Sequence, residues 1–131
     1  MANLTEPSEK MLLDWILNGA TPTRPPGAWV GLSLGTPNSR SGSEVQPASG
    51  YVRQTCTFGA ANSPAGTASN NNAMTFGPFS FSNAIQGLQI WDSNATTAGT
   101  MLWQGTLQTA RTVLSGDTVN ISAGALTCGL S

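Results

Sequence analysis

The stretch MTFGPFSFSNAIQGLQIWDSNATTAGTMLWQGTLQTARTVLSGDTVNISAGALTCGL, Met74 to Leu130, decides the fold class. Apolar residues alternate with Thr, Ser, Asn and Gln over short runs, and Gly, Asn, Asp or Ser clusters end each run, which is the pattern of half-buried strands joined by turns. The reading predicts strands at Met74–Phe81, Ile85–Asp92, Thr100–Leu107, Thr109–Leu114, Thr118–Ser122 and Leu126–Leu130. Ser115, Gly116 and Asp117 form the clearest tight turn, because glycine accepts positive φ and the aspartate side chain reaches nearby amides.

Upstream, Trp29–Leu34 places Val30, Leu32 and Leu34 on one side of a strand. Tyr51–Phe58 does the same for Val52, Cys56 and Phe58, and leaves Arg53 on the opposite side, facing solvent or a neighbour. Between these runs Arg40–Ser49 reads as a polar loop, and Gly59–Ala73, with its run Asn70, Asn71, Asn72, as a surface loop poor in core-forming residues. The predicted fold is all-β, a β-sandwich or jelly-roll-like domain of about seven or eight strands with one short N-terminal α-helix.

That helix is expected over about residues 5–18. Thr5 is placed to cap it through its hydroxyl, Pro7 is tolerated in the first turn, Glu6 and Glu9 suit the dipole, and Asn18 with Gly19 supplies the stop. Leu12, Trp15 and Ile16 share a face that Leu13 and Leu17 widen. Packing on the domain's own sheet is the favoured fate of that face, and docking on another subunit is the alternative. The proline-rich connector Ala20–Gly27 cannot continue the helix.

With 131 residues the chain supplies one domain, 1–131, built on a single core. Only 8% of residues are charged and the formal net charge is −1, a neutral polar surface that suits close packing against partners. Lys10, Arg24, Arg40, Arg53 and Arg111 are scattered, so no basic patch for nucleic acid exists. No apolar run reaches the ~20 residues that span a bilayer, and the first ten residues lack signal-peptide character. Synthesis in the cytoplasm, without membrane association, is the expectation. Cys56 and Cys128 read as buried thiols, with a disulfide formed after release as the alternative.

Catalysis is not expected. Histidine is absent, which removes the commonest general base and metal ligand. Of the six acidic residues, Glu6, Glu9 and Asp14 belong to the helix and Asp117 to a turn. Asp92, at a strand end, is the one candidate acid, with Glu44 as a remote glycosidase-like partner. No metal, cofactor or phosphate-binding motif is present. Trp15 belongs to the helix face, and Trp29, Trp91 and Trp103, in strands, read first as core filling; interface anchoring, or sugar stacking by an exposed Trp or Tyr51, is the alternative.

Taken in order, LLDWILNG (Leu12–Gly19), WVGLSLGTP (Trp29–Pro37), GYVRQ (Gly50–Gln54), the aromatic run Phe76–Phe81, IQGLQIWDS (Ile85–Ser93), AGTMLWQGTL (Ala98–Leu107) and VLSGDTVNISAGAL (Val113–Leu126) resemble a small family of tailed-phage virion proteins variously labelled decoration, cement or tail-fibre-like. The segment Asn62–Asn72 has no counterpart in that resemblance. The resemblance implies β-sandwich modules that form small homo-oligomers, often trimers, bind the capsid shell or the tail, and carry no catalytic residues. The leading expectation is therefore a capsid decoration (cement) protein, a homotrimer that binds the lattice of the major capsid protein and stabilises it by mass action. The alternative is a tail-tip or tail-fibre component that recognises host glycan, and a carbohydrate-active enzyme using Asp92 is the remote third. Pro22, Arg24, Pro25, Trp29, Asn70, Asn71 and Asn72 are the candidate interface residues.

Overall fold

A computed structural model describes residues 3–35, 44–45, 50–96 and 98–130. The elements run β1 (Asn3–Leu4), α1 (Glu6–Leu17), β2 (Ala28–Ser33), β3 (Gln54–Cys56), β4 (Thr67–Ser69), β5 (Met74–Phe76), β6 (Asn83–Trp91), β7 (Met101–Val113), β8 (Val119–Ile121) and β9 (Thr127–Gly129). An antiparallel sheet of order β1-β7-β6-β2-β3 forms the main layer, and the two-stranded ribbons β4-β9 and β5-β8 supply the residues that close its inner face. The all-β fold with one short helix is as the sequence predicts.

Register explains which residues lie inside. Val30 pairs with Ile90 and Leu32 with Leu88, while Ile90 pairs with Trp103, so these side chains share the inner face. Met74, Phe76, Val119, Cys128 and Leu126 meet them from the ribbons. On the outer face the same alternation sets Trp29 opposite Trp91 and Gly31 opposite Gln89.

Four elements depart from expectation. The two strands predicted on either side of Gln108 are one strand, β7, and the discontinuity is a bulge: Gln86 alone of β6 lies between the pairs Ile85↔Arg111 and Gly87↔Thr106. A bulge breaks alternation as a turn does, which is why the run looked like two strands. The loop expected over Gly59–Ala73 contains β4, paired with β9, and Asn70 in it is 2% exposed. Small residues can pair there because the backbone, and not the side chains, makes the ladder. The hydroxyl of Thr5 does not cap α1; it donates to the Met101 carbonyl instead. Lastly, Val52 is 61% exposed and Arg53 is buried, the reverse of the predicted orientation. β3 begins only at Gln54, and chain segments cover the outer face where Arg53 lies.

The predicted turn at Ser115–Asp117 is present, with Gly116 at φ 93° and Asp117 Oδ2 accepting the Leu114 N–H at 2.9 Å. Most of the polar loop Arg40–Ser49 lies outside the described residues.

Candidate functional site: an apolar arm, a groove and a sealed ion pair

Helix α1 is held to the body at its first turn. The Thr5 N–H donates to the Leu102 carbonyl at 3.0 Å, and Ser8 is the one buried residue of the helix. Beyond that turn Leu13 is 56% exposed, Trp15 56%, Ile16 68% and Leu17 77%. The favoured expectation, that this face packs on the domain's own sheet, is thus corrected: Leu13, Trp15, Ile16 and Leu17 keep more than half of their surface in solvent. Lys10 and Asp14 pair across one exposed turn, and the Ala20 N–H closes the end of the helix on the Asp14 carbonyl at 3.1 Å. The stop at Asn18 and Gly19 is as predicted, with Gly19 at φ 70°.

At the foot of the arm lies a cavity of about 340 Å³ lined by Phe58, Ala61, Ala68, Leu102, Trp103 and Leu130, with almost no polar surface in its walls. Leu102 also floors two neighbouring clefts of mixed polarity, one under Pro7, Met11 and Pro25 that includes Arg24 and Asp92 and one beside Gly27 and Phe58. The Trp103 indole N–H is satisfied by the Gly129 carbonyl at 2.9 Å, which leaves the ring's hydrocarbon to the cavity.

The opposite chemistry occupies the outer face. Arg53 donates from Nε to Glu44 Oε1 at 2.6 Å and from Nη2 to Oε2 at 2.7 Å, and from Nη1 to the carbonyls of Ser93 and Ala98. Its guanidinium lies 4.0 Å from the Trp91 ring centroid, a cation–π contact. The Tyr51 hydroxyl accepts the Leu32 N–H and donates to Glu44, and burial, then Glu44 itself, raises its pKa far above the ordinary value. Gly31 makes this possible: a Cβ there would sit 2.7 Å from the Tyr51 oxygen and 2.8 Å from Glu44 Oε1. Gln89 Oε1 accepts the Trp91 indole N–H, which orients the amide and leaves Nε2 buried without a partner among the described residues. The cluster ties Glu44, Tyr51 and Arg53 to the backbone of Ser93 and Ala98.

The residues selected from sequence fall in different places. Pro22 and Arg24 are exposed, Pro25 is half-buried at the wall of one of those clefts, and Trp29 is half-buried on the outer face. Asn70 turns inward, donating to the carbonyls of Asn72 and Ser122 and accepting from the Leu126 N–H. Asn72 bridges to Thr55 and Thr57, whereas Asn71 is exposed and bonds Thr57. Tyr51, considered for sugar stacking, has no exposed surface. Asp92 is a turn residue whose carboxylate accepts the Thr100 N–H at 2.7 Å.

Cys56 and Cys128 are free thiols in the core. Burial pushes the first up to about 11 and the second up to about 12. Sequence reasoning found the arm's residues but not the groove, whose lining comes from six separated segments, around residues 28, 58–61, 66–68, 90, 102–103 and 128–130, and it missed the Glu44–Arg53 pair. Among the described residues no group of acidic, Cys or His side chains could hold a metal, and no helix is long and apolar enough to cross a membrane.

No curated protein matches the chain. The family model described as podophage GP4 fiber I protein gp80 matches residues 3–129, nearly the whole length, spanning arm, groove and sealed cluster alike. The chain belongs to this family of podophage fibre proteins and is a phage virion structural protein.

Proposed function

We propose that the chain is a subunit of a phage tail fibre, that it assembles with copies of itself, and that it works by adhesion without chemistry. The observation that carries this reading is the family match over residues 3–129, whose description names a fibre. It favours the tail-fibre alternative over capsid cement, the leading expectation from sequence. The exposed apolar arm supports assembly, since a monomer gains nothing from leaving four large apolar side chains in water. The absence of catalysis is supported by the use made of the acids: Glu44 is locked by Arg53 and Tyr51, and Asp92 closes a turn.

Virions labelled with gold-conjugated antibody against this chain test the placement. Gold at the tail, at a few copies per particle, is the expected result. An even shell of label over the capsid returns the cement reading.

A second reading, contact with host glycan, has one observation in its favour. Trp29 and Trp91 are directly opposed on the outer face and both are half-exposed; Arg53 covers one face of the Trp91 ring, so Trp29 is the ring on which a sugar can stack. Glycan binding that is lost in Trp29→Ala would establish it, and no binding to a host-surface glycan panel removes it.

A further inference from the structure

Asn18 and Gly19 form the single Asn-Gly pair of the sequence, and they fall where α1 ends. An asparagine followed by glycine is open to attack by the next backbone nitrogen on its own side-chain carbonyl carbon, because no Cβ crowds the ring that forms. The fold leaves this pair unprotected. Asn18, Gly19 and Ala20 are all exposed, and neither the Asn18 side chain nor the Gly19 N–H has a hydrogen-bond partner among the described residues. Gly19 stands at φ 70° with no heavy atom within 4 Å of the place a Cβ would take, chain neighbours aside, so the backbone can swing there without collision. Among the described residues, the backbone bond that rotation about the Asn18 ψ breaks is that of the Ala20 N–H to the Asp14 carbonyl; the bond from Asn18's own N–H to the same carbonyl precedes the rotating bond and survives. Other asparagines are held differently. Asn70 is 2% exposed with its amide bonded at both ends, and Asn83 Oδ1 accepts the Ala84 N–H, the very group that would have to attack it.

We infer that Asn18 is a site of spontaneous modification, at which the folded chain exchanges a side-chain amide for a carboxylate with water as the only co-reactant. The Gly19 nitrogen, on losing its proton to hydroxide, bonds to Asn18 Cγ. The Cγ–Nδ2 bond breaks, and the amide nitrogen takes up a proton and leaves as ammonia. Water then opens the cyclic imide. Cleavage between the Gly19 nitrogen and Cγ yields aspartate, and cleavage between that nitrogen and the Asn18 main-chain carbonyl carbon yields isoaspartate. The sum is asparagine plus water to a carboxylate plus ammonium, with no electron transferred. Either product sets a negative charge just past the last turn of α1, where the helix dipole disfavours it, and gives the exposed Ile16 and Leu17 a charged neighbour. Isoaspartate also runs the main chain through Cγ, one carbon longer, so the Ala20 closure on the Asp14 carbonyl is lost. The tip of the arm thus changes its charge with age.

The full chain, kept folded in mildly alkaline buffer and sampled over days, tests this by peptide mass spectrometry with fragmentation that separates aspartate from isoaspartate. Conversion at Asn18 ahead of Asn70 and Asn83, a rate that rises with hydroxide concentration, and a new, more acidic species on anion exchange are the expected results. Because one exposed backbone hydrogen bond restrains the site, the folded chain should convert Asn18 within about tenfold of its rate in urea. Asn70 should convert in urea and stay intact in the native state. Asn18→Gln, at an exposed position, enlarges the ring that must close and should abolish the acidic species, and Gly19→Val should slow its appearance. In the aged protein the Ala20 amide should exchange its hydrogen faster than in the fresh one. An Asn18 amide that persists in the folded chain while it converts in urea overturns the proposal, and so does conversion at Asn18 no faster than at Asn83 or indifferent to Gly19→Val.

Discussion

The outer face of the sheet and the free end of α1 invert the usual distribution of polarity in opposite senses. At the first, a guanidinium with no exposed side-chain surface is surrounded by Glu44, two carbonyls and an indole. At the second, Leu17 keeps 77% of its surface in water. Each nitrogen of the Arg53 guanidinium has an acceptor within this chain, Nε and Nη2 on Glu44 and Nη1 on the carbonyls of Ser93 and Ala98. Among the described residues nothing covers the apolar end of α1, and covering it would release free energy.

The contrast predicts a graded series of effects. Arg53→Ala strands Glu44 and releases the 92–98 segment, and should destabilise the fold by about 3–5 kcal/mol in urea unfolding. Arg53→Met combined with Glu44→Leu should be milder than Arg53→Ala alone. A loss below ~1 kcal/mol for the single variant would mean that the outer face is an ordinary solvated surface.

Next in size is the chemistry of the thiols. With Cys56 and Cys128 pushed up to about 11 and about 12, little thiolate is present at pH 8, so alkylation in the native state should run at least about 100-fold slower than for a free thiol. The native state holds these protons while the unfolded chain loses them near the ordinary value of 9.0. Stability should therefore be flat with respect to these groups below about pH 9 and fall as pH rises through 11 and 12. Fast native labelling would show that the core behind the groove is open.

Gly31→Ala forces a methyl against the Tyr51 oxygen and Glu44, and should lower stability by about 1–3 kcal/mol, read as a thermal shift. The smallest effect belongs to the arm. Ile16→Ser with Leu17→Ser, measured in dilute monomer, should change folding stability by less than about 0.5 kcal/mol. A large loss would place those side chains in the monomer's own fold.

Much of this molecule is legible in its sequence because strands and helix ends are governed by near neighbours. The alternation in Trp29–Leu34, the stop at Asn18 and Gly19 and the turn at Gly116 all appear where local chemistry puts them. What escapes is decided across the chain. Arg53 looks like an outward residue because nothing near it shows that Glu44 and the carbonyls of Ser93 and Ala98 close over it. Asn70 looks like loop filler until the backbone of Leu126 and Ser122 is brought to its amide. The apolar face of α1 is legible as a face, but its exposure in this chain depends on the body's shape, which periodicity does not carry. The groove assembles residues from segments around 28, 58, 68, 90, 103 and 130, a set that no local pattern marks.

Sedimentation velocity of the unaltered chain over a thousandfold range of concentration bears most directly on the claim that this fibre protein is completed by its own copies. A discrete oligomer that dissociates on dilution, with Trp15 fluorescence moving to longer wavelength as it does so, is the predicted result. A single monomeric species throughout, with the arm in water at every concentration, would contradict it.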